Sequence, residues 1–212
     1  MPDTPAWPTT LPLVAILRGI QPHEAAEHAR ALCDAGFDCI EVPTNSPDWA
    51  RSVAAIVALR RPGVLVGAGT VLTHEHLDAL QAAGGRLAVS PHVDETLVAD
   101  SVSRGLVALP GAMTPSEVFT AWRAGARAVK VFPAGTLGAG HVRAMRAVLP
   151  HELVLLAVGG VNPANLREFI AAGCRGAGLG SELYRPGQAV ATTAAQARAF
   201  IDAWQACHAL SG

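Results

Sequence analysis

Eight short, almost uninterrupted apolar runs punctuate this chain, at residues 13–17, 37–42, 64–68, 87–90, 106–109, 128–132, 153–158 and 176–179. A strand with one face in water alternates apolar and polar residues. A run without that alternation belongs to a strand covered on both faces, as parallel strands are in α/β folds. Amphipathic, Ala-rich stretches of helical length separate the runs. Eight strand–helix units predict an α/β fold, a single (β/α)8 TIM barrel over residues 1–212. The Pro/Thr-rich residues 1–10 are expected to form an N-terminal arm or a lid.

The punctuation agrees. Ala-Gly recurs at Ala35-Gly36, Ala83-Gly84, Ala124-Gly125 and Ala172-Gly173, each after a helical stretch and before a strand. Helix starts are expected at Thr73, Thr114-Pro115 and Asn162-Pro163, where a capping side chain precedes proline or an acidic first turn. The last helix, about 188–210, is longer than the others and is expected to pack over the barrel end.

Composition narrows the chemistry. The net charge is −1, so no basic face invites nucleic acid or a membrane surface. No apolar run reaches the ~18–20 residues of a membrane helix, and no signal peptide is expected. Cys33, Cys39, Cys174 and Cys207 form no Cys-x-x-Cys pair and suit no zinc site. They read as reduced thiols in a cytoplasmic protein. Of 16 lysines and arginines only Lys130 is a lysine, leaving 15 arginines. Arginine matches lysine in charge but not as an amine nucleophile, so a lone lysine points to amine chemistry.

In such barrels the active site lies at the C-terminal ends of the strands. Reading each run to that end collects Arg18, Glu41, Thr70, Pro91, Lys130 and Gly159-Gly160. Side-chain parity is expected to turn Val14, Ile16 and Arg18, then Cys39 and Glu41, then Val66, Ala68 and Thr70, then Ala128, Lys130 and Phe132 toward the interior. Lys130, flanked by Val129 and Val131, is expected to lose hydration and hence basicity, which favours the free amine a Schiff base needs. Glu41 suits general acid/base work through a water, or an ion pair with Arg18 or Lys130. Arg18 suits a carboxylate. Gly67-Ala68-Gly69-Thr70 is expected to let substrate approach the backbone. The Gly-rich segments after the last two strands are expected to hold a phosphate at a helix N-terminus. His74 and His76 fall in a helical first turn and are not expected to bind metal. His92 is expected in a solvated loop.

Together, Glu41, Gly67-Ala68-Gly69-Thr70, Ser90-Pro91, Lys130-Val131-Phe132-Pro133, Gly159-Gly160 and Gly178-Leu179-Gly180-Ser181 resemble the 2-keto-3-deoxy-6-phosphogluconate aldolase family, over roughly residues 11–204. The resemblance implies a lyase, a class I aldolase without metal or cofactor, usually a homotrimer, acting on a phosphorylated keto acid. It implies Lys130 as the Schiff-base lysine and Glu41 as the proton shuttle. Arg18, Thr70, Pro91 and Phe132 would surround the pyruvate part, and Gly159, Gly160, Gly180 and Ser181 the phosphate. Two positions, Asn45 in place of an arginine and Val158 in place of a threonine, resemble the galactonate branch, which acts on 2-dehydro-3-deoxy-6-phosphogalactonate. Both are expected to bear on the C4 configuration. Ala134-Gly135 stands where that branch is expected to carry serine. The competing expectations are the gluconate epimer as substrate, a barrel isomerase of sugar-phosphate metabolism, which needs no imine lysine, and a non-catalytic sugar-phosphate-binding barrel.

Overall fold

The computed structural model describes residues 7–208. Its strands are β1 (Leu13–Ile16), β2 (Cys39–Pro43), β3 (Leu65–Gly69), β4 (Leu87–Val89), β5 (Val107–Leu109), β6 (Gly111–Ala112), β7 (Ala128–Val131), β8 (Val154–Val158) and β9 (Gly176–Leu179). They form one sheet in the order β5-β4-β3-β2-β1-β9-β8-β7-β6, with every pairing parallel. The ninth strand is a division of the expected fifth. Proline has no N–H for a ladder, and Pro110 splits the segment. Its first half pairs with β4 (Val89↔Leu109) and its second with β7 (Gly111↔Lys130). The Lys130 N–H donates to the Pro110 carbonyl at 2.9 Å, so the barrel closes through this broken strand.

Helices α1 (Pro22–Ala35), α2 (Trp49–Val57), α3 (His74–Ala82), α4 (Glu95–Ser103), α5 (Pro115–Arg123), α6 (Ala134–Arg146), α7 (Leu166–Ala171) and α8 (Val190–His208) connect and flank the strands. The four Ala-Gly pairs close α1, α3, α5 and α7, with glycine φ of 107°, 78°, 105° and 111°. Thr73 and Thr114 cap α3 and α5 as expected. Asn162-Pro163 does not start a helix. The Asn162 side chain instead accepts the N–H groups of Ala164 (2.9 Å) and Asn165 (3.0 Å), a local turn that delays α7 to Leu166. The expected position of the last helix is also corrected. α8 packs beside α1 and α7 in the outer ring, because Thr193, Ala197 and Phe200 give it one buried face. Residues 209 and 210 lie outside the described residues. Among the described residues no helix is long and apolar enough to cross a membrane.

Two buried layers result. Leu13, Ala15, Ile40, Val42, Val66, Ala68, Val129 and Val131 pack outward against the helices. Val14, Ile16, Cys39, Leu65, Leu87, Val89, Ala128, Val154, Leu156 and Val158 fill the barrel. The expected parity holds for β1, β2 and β7 and fails for β3, where Val66 and Ala68 point outward and Leu65 inward. Of the residues expected to form an arm or a lid, 7–10 lie at the end opposite the strand C-termini and so form no lid over them. Trp7 packs against the barrel interior, and the N–H groups of Thr10 (2.7 Å) and Leu11 (3.0 Å) donate to Asp38 just before β2. Residues 1–6 lie outside the described residues.

Candidate active site

At the C-terminal ends of the strands the inner layer turns polar around a cavity of about 420 Å³. Ile16, Arg18, Glu41, Thr70, Pro91, Lys130, Phe132, Val158, Gly159, Gly160, Gly180 and Ser181 line it, joined by Val161, Asn162 and Glu182. Lys130 reaches the interior because Val129 and Val131 take the outward positions of β7. It is 7% exposed, and its Nζ lies 4.9 Å from the centre of the Phe132 ring. Burial lowers its pKa to about 8, with Arg18 acting in the same direction and Glu41 against it. Glu41, 2% exposed, is pushed up to about 7 by burial, against the pull of Lys130 and Arg18. Its Oε2 has no hydrogen-bond partner. An acid and a base with overlapping titrations therefore face one cavity.

Gly69 of β3 has a role beside Glu41, while Gly67 packs against the backbone of Leu87. A methyl group built on Gly69 would collide with the Glu41 carboxylate. The small residue makes room for the acid. Thr70 still lines the cavity although Ala68 points away, because its φ of 54° puts it in the left-handed region and breaks the strand's alternation. The Thr44 hydroxyl donates to the Thr70 carbonyl at 2.6 Å and holds that turn.

Arg18 follows β1 and donates from Nη1 to the Asn45 side-chain oxygen at 2.7 Å. The neighbouring Gly19 N–H donates to Ser46 Oγ at 2.9 Å, so the two loops are clasped together. Asn45 itself does not line the cavity. It bears on the site through Arg18, a contact across 27 residues of sequence that no local motif could reveal.

The far end of the cavity is made of backbone. Gly159 and Gly160 have φ of 90° and 74°, a conformation that side chains resist. Their carbonyls are engaged, by the Gly135 N–H (2.7 Å) and by Asn165 Nδ2 (2.9 Å). Gly135 packs so closely on this pair that a Cβ there would lie 3.1 Å from the Gly160 Cα. The segment 134–135 thus braces the double glycine. Past β9, Leu183 and Tyr184 both donate to the Gly180 carbonyl, at 2.8 and 3.0 Å. This makes a single turn where a helix N-terminus was expected. Among the described residues the N–H groups of Gly160, Ser181 and Glu182 have no partner.

Residues 7–196 match the family model described as KDPG and KHG aldolase. The chain belongs to this aldolase family. It is 50% identical over 199 residues, 94% of this chain and 97% of the other, to the 2-dehydro-3-deoxy-6-phosphogalactonate aldolase of Escherichia coli K12. It is 43% identical to a probable enzyme of the same name from Rhizobium meliloti, across 98% of both chains. A solved structure described as native KDPGal superimposes with a TM-score of 0.94 at 49% identity, covering 96% of this chain and 99% of the other.

For this KDPG and KHG aldolase family member, the strand-end reading located Arg18, Glu41, Thr70, Pro91, Lys130, Gly159 and Gly160 in the cavity, the family resemblance pointed to Phe132, Val158, Gly180 and Ser181, and the lining is completed by Ile16, Val161, Asn162 and Glu182. The last three adjoin residues that were singled out, and Ile16 shares the inner face with Arg18. Outside the cavity, His92 is exposed and His74 pairs with Asp100 at 2.6 Å. Among the described residues no three His, Cys, Asp or Glu side chains gather as a metal site.

Proposed function

We propose that this chain is a class I aldolase that cleaves 2-dehydro-3-deoxy-6-phospho-D-galactonate to pyruvate and D-glyceraldehyde 3-phosphate. The observation that carries the reading is the chain's only lysine, buried at a strand end with its pKa lowered to about 8 and sharing a cavity with a carboxyl raised to about 7. An amine with that pKa is roughly one tenth unprotonated at neutrality, far more than an ordinary lysine, and a carboxyl near 7 can both take and give a proton.

The Lys130 amine attacks the C2 ketone to give a carbinolamine. Glu41, through a water, protonates the departing hydroxyl, and an iminium forms. Glu41 then removes the C4 hydroxyl proton. The C3–C4 bond breaks, its electron pair moves into the iminium to give an enamine, and the aldehyde leaves as glyceraldehyde 3-phosphate. Protonation at C3 and hydrolysis of the imine release pyruvate and restore Lys130. Arg18, oriented by Asn45, grips the substrate carboxylate, with Thr70, Pro91 and Phe132 around the pyruvate part. The unpartnered N–H groups of Gly160, Ser181 and Glu182 receive the phosphate, with Gly159 and Gly180 shaping the two turns. A homotrimer in the cytoplasm completes the reading, and sedimentation of the purified protein checks the trimer.

Val158 is the side chain proposed to sense C4. It tops β8 on the inner face, next to Gly178 and Ile16. Its methyl groups offer no hydrogen bond, whereas threonine would. A hydrogen-bond mismatch of this kind is worth about 1–3 kcal/mol, roughly ten- to a hundredfold in kcat/KM. Cleavage rates on the two C4 epimers test this. The galactonate epimer is expected to be faster, and Val158→Thr is expected to shift the ratio toward the gluconate epimer. A faster gluconate reaction in the wild type contradicts the substrate assignment, and an unmoved ratio in the variant contradicts the role of Val158.

A further inference from the structure

Behind the 180–185 turn lies a polar chain that the proposed reaction does not use. The Gln188 side chain spans the turn from the rear. Its Oε1 accepts the Arg185 N–H at 3.0 Å, while Nε2 donates to the Leu183 carbonyl at 3.0 Å and to Thr193 Oγ1 at 2.7 Å, with Gln196 Oε1 at 3.1 Å. Thr193, on α8, is fully buried, and its hydroxyl lies 2.8 Å from Nδ1 of the buried His28 on α1. One amide thus fastens the turn carrying Ser181 and Glu182 to α8 and, through Thr193, to α1. Arg185 adds a second strut, donating from Nε to the Ser181 carbonyl at 2.9 Å, with Nη2 3.5 Å from Glu182.

This arrangement matters because residues 180–189 belong to no helix or strand. A turn that offers N–H groups to an anion is effective only if those groups are already in place when the anion arrives. The Gly160 side of the cavity is braced by Gly135 and Asn165, whereas the 180–182 turn is held from behind by the side chains of Gln188 and Arg185. We propose that Gln188 is a positioning residue, which holds residues 180–182 in the phosphate-receiving conformation without touching the substrate. The inference rests on the reading of that turn as the phosphate subsite.

Gln188→Leu removes every side-chain hydrogen bond and keeps much of the volume. The test compares the keto acid substrate with and without its 6-phosphate, alongside borohydride trapping of pyruvate on the enzyme. KM for the phosphorylated substrate is expected to rise about tenfold with kcat within about twofold, as for loss of binding shared by ground and transition states. Efficiency with the unphosphorylated substrate, and pyruvate trapping, are expected to stay within about twofold. Thr193→Val, which removes only the buried hydroxyl, is expected to give the same pattern at roughly threefold, and it serves if the leucine variant does not fold. Equal losses on both substrates, or no loss on either, overturn the assignment. If the wild type cleaves both substrates equally well, the phosphate subsite itself is wrong. If the wild type discriminates and both variants discriminate to the same degree, only the role of Gln188 fails.

Discussion

Two residues of rise separate two environments inside this barrel. On β2, Cys39 sits in the apolar inner cluster, and Glu41, next on the same face, sits in the cavity. On β7, Ala128 and Lys130 repeat the pattern. Toward the N-terminal end, polar groups are spent on backbone. Asp38 takes two N–H groups on Oδ2, and the Arg146 guanidinium donates to the carbonyls of Leu149 (2.8 Å), Pro150 and Leu153 (2.8 Å), although Asp38 Oδ1 and Arg146 Nε stay unpartnered among the described residues. Toward the C-terminal end, Glu41 Oε2 is buried without a partner and Lys130 has only the Phe132 face. Burial without full pairing destabilises the charged form of each group, and this is what moves both pKa values toward neutrality. At one end of the barrel the charged groups are anchored to backbone, and at the other Glu41 and Lys130 face an open cavity.

The sharpest way to break this contrast is Lys130→Arg. The charge is kept and the nucleophile is lost, so cleavage is expected to vanish. A folded arginine variant with wild-type turnover contradicts the assignment of Lys130.

Glu41→Gln is expected to slow turnover by roughly two to four powers of ten, the span of general acid/base residues. It also tests the cost of the polar end. The folded pKa of Glu41, about 7, lies above its ordinary 4.5. Folding therefore takes up a proton between these values, and stability is lost as pH rises through that window. The variant is expected to be more stable than the wild type at pH 8, by on the order of 2 kcal/mol, with the gain fading toward pH 4.5. Thermal unfolding at the two pH values measures it. A variant less stable at pH 8 would show Glu41 to be a paired structural acid.

Asn45→Ala gives the smallest effect. It releases Arg18 without altering the cavity wall. Loss of about 1 kcal/mol of orientation is expected to raise KM roughly fivefold at nearly constant kcat. An unchanged KM would mean that Arg18 needs no support from Asn45.

Much of this site was legible in the sequence because strands alternate. Once the eight runs were placed, parity alone set Glu41 and Lys130 on the inner face. It misled at β3, where the left-handed turn at Thr70 lets that residue reach the cavity although Ala68 points away. The division at Pro110 and the packing of α8 beside α1 depend on pairings between distant segments, as does the hold of Asn45 on Arg18. Periodicity within one segment carries no record of such contacts.

The most direct measurement is borohydride reduction in the presence of pyruvate, followed by peptide mass spectrometry. The expected result is a single reduced pyruvate adduct, on Lys130, and none in the Lys130→Arg variant. Cleavage activity in a protein that forms no adduct, or an adduct on any other group, would contradict the imine chemistry assigned to this barrel end.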